Sequence, residues 1–265
     1  MNALIYILSL LWFLAGFYVY TALIRQISAR APVVSDDTAP VRTFGPPEAV
    51  VALLLISFLL LNVIASVSAP SAPLGSRDLA ANLVLTIVVL LILVGFLELR
   101  RLNVDRLAGL SKHGLARAIG TGTLLLLAAY PLISAADALM RRFEHGSSKQ
   151  NIVELFNGSN TMEQRVMIIV LAVAIAPIAE ELVFRFFLYG VLRHYIGRFG
   201  GLVFTALLFA AVHAHLPSFA PLFVLGVCFT LAYEWSGSIL VSMTMHSLFN
   251  SLTLAFLAFP QLSDQ

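Results

Sequence analysis

Two glutamates stand side by side inside an apolar stretch of the chain. Glu180 and Glu181 lie in the segment APIAEELVFRFFLYGVL, and Arg185 follows one helical turn later. Charged side chains are costly in lipid, so an acidic pair inside a hydrophobic segment marks a candidate functional site. A carboxylate in such a place can take a proton from water, which is how a general base begins a hydrolysis.

The spacing predicts different roles for the two glutamates. On a helix, Glu181 and Arg185 face each other at i and i+4, in the more favourable order for an ion pair. Glu180 is turned by about 100° from Glu181 and lies off that face. We therefore expect Glu181 to neutralise Arg185 and Glu180 to be left as a general base. A purely structural ion network of all three residues is the alternative.

Two later apolar segments each bring one histidine. His213 follows Phe209 by one turn in FAAVH, and His246 precedes Asn250 by one turn in HSLFN. Each pattern alone is typical of a histidine that is hydrogen-bonded between membrane helices. Polar signals in consecutive apolar segments indicate a shared site much more strongly together than separately.

Two chemical assemblies fit these residues. In the first, Glu180, His213 and His246 bind a divalent metal, with zinc the expected ion, and a bound water is the nucleophile. In the second, Glu180 and His213 activate a water without a metal, while His246 and Asn250 donate hydrogen bonds to the tetrahedral oxyanion. Both assemblies lead to amide hydrolysis, and the sequence does not choose between them.

The composition places these residues in a membrane. Of the 265 residues, 60% are hydrophobic and 11% are charged, whereas a soluble domain has about 25% charged residues. The net charge of +2 gives no reason to expect a nucleic-acid partner. Because a lipid-exposed backbone must satisfy its own hydrogen bonds, we predict an all-α, polytopic transmembrane helical bundle of about eight spans. The predicted spans are residues 3–24, 47–69, 79–98, 115–138, 164–192, 200–216, 219–235 and 238–259.

The motifs divide the chain into regions. Residues 1–138 hold about four spans without catalytic motifs, residues 139–163 form a polar loop, and residues 164–259 form the catalytic core. Within the loop, Ile152 to Phe156 is an amphipathic piece expected at the membrane interface. Straight spans would put His213 nearer the outer face than Glu180. A common site therefore needs tilt, shifted boundaries or a kink at Pro177, which would also free backbone carbonyls near the site.

The distribution of basic residues predicts the orientation. With the N-terminus outside, the inner connections hold ten of the sixteen Lys and Arg residues and the outer connections hold five. Basic residues favour the inner side of a membrane, so the count favours the N-out topology.

The three motifs resemble those of a known family. EELVFR, FAAVH and HSLFN are similar in type, order and spacing to the EExxxR, FxxxH and HxxxN/D motifs of the CPBP family. That family comprises the CAAX prenyl endopeptidases and bacterial relatives linked to bacteriocin processing and self-immunity. The resemblance covers about residues 164–259. One departure is Phe186, which stands where glycine is common and bears on local helix packing.

The resemblance implies roles for individual residues. Glu180 would be the general base or the metal-linked glutamate, and His213, His246 and Asn250 would complete the site. The supporting residues would be Glu181, Arg185 and Phe209, with Phe209 packed beneath His213.

The resemblance also implies an activity and a location. We expect an intramembrane CAAX-type metalloendopeptidase of the bacterial inner membrane that acts on a membrane-associated peptide or protein. A non-proteolytic membrane partner or immunity protein that retains the fold is the main alternative. A transporter would explain intramembrane charge but not the ordered motifs.

Overall fold

The computed structural model describes residues 2–30, 44–68, 76–143 and 162–259, and every regular element within these ranges is helical. The predicted amphipathic piece at 152–156 lies outside the described residues. The helices are α1 (Asn2–Ala29), α2 (Pro46–Ser68), α3 (Ser76–Leu99), α4 (Val104–Ala108), α5 (Leu115–Phe143), α6 (Met162–Val170), α7 (Ala176–Glu181), α8 (Tyr189–Val212), α9 (Phe219–Ser236) and α10 (Ile239–Ala258). Two π-helical segments, Leu171–Ile175 and Leu182–Leu188, join α6 to α7 and α7 to α8.

The described residues contain 7 helical runs that are long and apolar enough to cross a membrane. One of them, Met162–Val212, has 51 residues, which would extend roughly 75 Å as a straight helix. That length is far more than the hydrocarbon core of about 30 Å, so the run must reverse.

The reversal occurs at Gly197. Its φ of 77° and ψ of 171° are not helical, and a positive φ of this size favours glycine. A Cβ placed on Gly201 would lie 2.9 Å from the backbone nitrogen of Arg193, so the chain doubles back here. The predicted spans 164–192 and 200–216 are therefore the two arms of a hairpin, and the all-α bundle of about eight helices is confirmed.

The predicted inner connections meet at one end of the bundle. Arg198, beside the hairpin turn, donates to the carbonyl of Ile27 at 2.8 Å and lies 3.4 Å from the carboxylate of Glu234. Next to Glu234, the Tyr233 hydroxyl donates to the carbonyl of Leu107 in α4 at 3.1 Å. These contacts join the ends of spans in the alternation that an eight-span chain requires, whichever side of the membrane its N-terminus faces. Which side of the membrane this end faces stays a prediction.

Packing is uneven along the chain. Helix α9 is enclosed by α1, α5, α8 and α10, and most buried side chains lie in this C-terminal part. Helix α3 is held mainly at its C-terminal end, where Leu93 and Leu97 are buried. Most of residues 80–88 are exposed, so the first half of α3 stands at the edge of the bundle.

Candidate active site

A π-helical segment precedes Glu180 in the chain and another follows it. Segments of this kind are rare and occur often at functional sites. In the first one, the N–H of Ala176 donates to the carbonyl of Leu171, which is the i→i+5 spacing of a π-helix. The next donor in that register would be residue 177, which is a proline without an N–H. The carbonyl of Ala172 is thereby left without its main-chain partner.

Asn250 supplies a hydrogen-bond donor for the Ala172 carbonyl. Its Nδ2 donates to the Ala172 carbonyl at 2.7 Å. This bond ties α10 to the π-helical segment before Glu180. Pro177 was expected to free a carbonyl near the site, and this contact shows which one.

Glu181 is completely buried and contacts one partner on its own helical run and one on α10. Its Oε1 lies 3.0 Å from Nη1 of Arg185 and accepts a hydrogen bond from Nδ1 of His246 at 2.9 Å. The predicted pairing with Arg185 is present. The bond to His246 was not expected, since the two residues are 65 positions apart in sequence. Because an ionised carboxylate only accepts, Nδ1 of His246 carries a proton, and the other ring nitrogen, Nε2, lies near Glu180.

Arg185 is buried among aromatic rings. Its guanidinium carbon lies 4.3 Å from the centre of the Phe209 ring and 5.1 Å from that of Phe229. A buried cation needs both a counter-ion and favourable contacts to remain charged. Glu181 provides the first, and the ring faces provide the second as cation–π interactions.

Phe209 also contacts both histidines. Its ring centre is 4.9 Å from that of His213 and 5.8 Å from that of His246, with edge-on geometry in both pairs. It was expected only to pack beneath His213. The structure places it between the two imidazoles and the guanidinium of Arg185, so one ring fixes the relative positions of three functional groups.

Glu180 lies off the face of Glu181, as predicted, and its side chain is 30% exposed. Its Oε2 has no hydrogen-bond partner among the described residues. The nearest ring nitrogen is Nε2 of His246 at 3.7 Å, which is too long for a hydrogen bond. A water molecule can lie within hydrogen-bond distance of both atoms.

His213 is the residue that ends α8. Its Nδ1 donates to the carbonyl of Phe209 at 2.7 Å, so its Nε2 carries the lone pair. Glu180 precedes Gly197 by 17 residues and His213 follows it by 16, which puts both about 25 Å from the hairpin turn at 1.5 Å per residue. The hairpin thus removes the mismatch in depth that straight spans would create.

The four predicted residues line one cavity. A cavity of about 320 Å³ is bordered by Glu180, His213, His246 and Asn250. Its opposite wall is the first half of α3, where Asn82 and Thr86 are the polar lining residues. The rest of the lining is largely apolar.

Three contributors were missed in the sequence. Asn82 and Thr86 stand one turn apart in the third apolar segment, and that spacing was a usable signal. Phe229 gave no signal, because an aromatic residue in a membrane span is normally packing. Phe186, the departure from the family pattern, is buried against Phe44 at 5.8 Å between ring centres, so the local packing accommodates it.

The side chains do not form a ready-made metal site. Within the described ranges, no group of three or more His, Cys, Asp or Glu side chains is close enough to hold a metal ion. Glu180 and His246 are the close pair, and His213 would have to move toward them to complete the expected ligand set.

The comparison with known families identifies this region. Residues 162–252 match the family model described as type II CAAX prenyl endopeptidase Rce1-like. No curated protein and no solved structure matches the chain. The matched residues are about a third of the chain and contain all three motifs, so the predicted resemblance is confirmed. The C-terminal part of this membrane protein therefore carries a domain of the Rce1-like type II CAAX prenyl endopeptidase family.

Proposed function

We propose that the protein is an intramembrane endopeptidase that hydrolyses a peptide bond of a membrane-associated polypeptide with a water activated by Glu180. The observation that carries this proposal is the unpaired Oε2 of Glu180, which lies beside His246 in a cavity that His213 and Asn250 also line. Oε2 of Glu181 is also unpaired, but Glu181 is fully buried and does not line the cavity, so Glu180 is the carboxylate that a water and a substrate can reach.

The water is activated by two acceptors. Glu180 takes the proton as the water oxygen attacks the carbonyl carbon of the substrate. Nε2 of His213 accepts the second hydrogen of the same water and orients it, since Nδ1 of that ring is already bonded to the Phe209 carbonyl. The result is a tetrahedral intermediate with a negative oxygen.

The oxyanion is stabilised from α10. Asn250 has one amide N–H engaged with Ala172 and a second N–H available. His246, held through its Nδ1–H by Glu181, turns its Nε2 toward Glu180 and the same cavity. Donors held in place before the reaction stabilise developing charge most strongly in a site that excludes water.

The intermediate then breaks down. The carbon–nitrogen bond cleaves as the oxyanion re-forms a carbonyl, and Glu180 returns its proton to the departing nitrogen. The products are a carboxylic acid and an amine, and Glu180 is again ionised. The cycle consumes one water and no other reagent.

The cavity suits a substrate that arrives through the membrane. A largely apolar groove between α3 and α6 adjoins it and shares Leu83, Leu171 and Ile175 with its lining. An extended peptide with an apolar flank matches such a lining. Asn82 and Thr86 are placed to bond its backbone.

The proposal can be tested by measuring how fast the purified protein, in proteoliposomes, cleaves a fluorogenic, membrane-anchored peptide. We expect wild-type cleavage, and a loss of roughly 100-fold or more in kcat for both Glu180→Gln and His213→Ala. Glu98→Gln, an exposed glutamate of α3 outside the cavity, is the matched control and should cleave normally. Wild-type rates in both active-site variants would refute the assignment.

The same preparations address the alternatives. Metal analysis of the wild type against His246→Ala checks the expected divalent metal: one equivalent that disappears in the variant would favour the metal-linked assembly. Persistence of the cellular function in Glu180→Gln would favour the non-proteolytic partner.

A further inference from the structure

Pro131, inside α5, shows what a helical proline requires in this protein. It has no N–H, so the carbonyl of Leu127, four residues earlier, lacks its helical donor. Nε1 of Trp12, from α1, donates to that carbonyl at 3.0 Å. A side chain from another helix thus replaces the hydrogen that the proline removed.

Pro177 repeats this arrangement at the cavity. The carbonyl that loses its donor is that of Ala172, and Nδ2 of Asn250 bonds it at 2.7 Å. Both Ala172 and Asn250 line the cavity, whereas neither Pro131 nor its partners are among its lining residues. The two prolines therefore form a natural pair, one at the site and one remote from it.

The chemistry of the contact fixes the amide of Asn250. A carbonyl oxygen only accepts, so the nitrogen of the amide must face Ala172, and the flipped amide would place two oxygens against each other. With one N–H held, the direction of the second N–H is set by the planar amide group. An amide without this anchor would rotate and present its donor for only part of the time.

We infer that Pro177 is a positioning residue: by freeing the Ala172 carbonyl, it anchors the amide of Asn250 with its second N–H directed at the reacting carbonyl. This inference rests on the proposed function for the role of that N–H. It assigns the proline a purpose beyond bending the helix. The π-helical segment Leu171–Ile175 fits this role, since its register leaves the Ala172 carbonyl without a main-chain donor.

Kinetics of four variants test the inference: Pro177→Ala, Asn250→Ala, the double variant and Pro131→Ala. We expect Asn250→Ala to lower kcat by about 10²–10³-fold and Pro177→Ala to lower it roughly 10-fold, with KM unchanged, through misplacement of the amide. The double variant should be no slower than Asn250→Ala alone. Pro131→Ala should retain the wild-type kcat. The inference would be overturned if the double variant lost kcat by the product of the two single losses. It would also be overturned if Pro177→Ala and Pro131→Ala lowered kcat equally.

Thermal unfolding in detergent tests the anchor without reference to activity. Asn250→Ala leaves the Ala172 carbonyl unpaired when residue 177 is proline, but Pro177→Ala supplies a main-chain N–H. Asn250→Ala should therefore lower Tm clearly in the wild-type background and little in the Pro177→Ala background. Equal losses of Tm in both backgrounds would show that no anchor exists. Pro177→Val provides the same N–H if the alanine variant folds poorly.

The two readouts separate the possible failures. If the wild-type protein cleaves nothing, the proposed function fails, while the coupling in Tm still decides whether Pro177 and Asn250 act through one carbonyl. If cleavage occurs without that coupling, the proposed function stands and the positioning role fails.

Discussion

Glu181 shares one carboxylate oxygen between partners from two helices, Arg185 and His246. This arrangement combines stability with orientation. Removal of one member of a buried ion pair leaves an uncompensated charge, which costs about 3–5 kcal/mol. The same carboxylate also determines which nitrogen of His246 carries the proton. The two effects can be separated by mutation.

Glu181→Gln should destabilise the fold by about 3–5 kcal/mol, because Arg185 loses its counter-ion. Adding Arg185→Met removes that buried charge and should restore most of the stability. Activity should stay roughly 100-fold or more below wild type in both, because the carboxylate that holds the His246 tautomer is gone. Denaturant unfolding and peptide cleavage measure the two effects. Full recovery of activity in the double variant would contradict the orienting role.

At the scale of elements, helix α3 is packed against the bundle at its C-terminal end and exposed in its first half. Leu93 and Leu97 are buried, while most of the first half of the helix lies at the edge of the bundle and contributes Asn82 and Thr86 to the cavity. Residues on a weakly packed wall are suited to contact a substrate rather than to stabilise the fold.

Asn82→Leu and Thr86→Val should each raise KM for a peptide substrate about fivefold, the cost of one hydrogen bond near 1 kcal/mol. The kcat and Tm should change little, since neither side chain touches the reacting groups. Thr123→Val is the control, because Thr123 bonds within α5 and lies outside the cavity. A drop in kcat with KM unchanged would place the two residues in the chemical step instead.

The hairpin at Gly197 is the second decisive element. It returns the chain so that Glu180 and His213 reach the same depth. Because its φ of 77° suits glycine, the turn depends on one residue rather than on a long connection. The short second arm, ending at His213, is what places a helix terminus beside the cavity.

At the scale of the whole molecule, the hairpin turn inside α8 lies beside the C-terminal ends of α1, α4 and α9, on one side of the bundle. The basic residues of the sequence concentrate in the connections at that end. Since basic loops stay on the inner side, the distribution predicts that this end faces inward and the N-terminus outward.

Cysteine labelling checks the orientation with two positions on α5. Arg117 and Arg141 lie near opposite ends of this helix, and both are exposed. The native Cys228 is buried and should not react. A membrane-impermeant maleimide on intact cells should label Arg141→Cys, and should label Arg117→Cys only after the membrane is opened. The reverse pattern would invert the topology.

The sequence alone determined that the protein lies in a lipid bilayer, that its fold is all-α, and which residues are candidates for the site. Its composition requires a bilayer, and a bilayer requires helices with internally satisfied backbones. The pairing of Glu181 with Arg185 also followed from sequence, because i and i+4 neighbours meet on any helix.

Only the tertiary structure decided the contacts between distant segments. The bond from Glu181 to His246, the position of Phe209 between both histidines, and the capture of the Ala172 carbonyl by Asn250 join residues far apart in the chain. Helical periodicity says which face of a helix a residue occupies, but not which other helix that face meets. That pairing depends on the hairpin at Gly197 and on how the helices pack, because long-range contacts are set by the whole fold and not by local spacing.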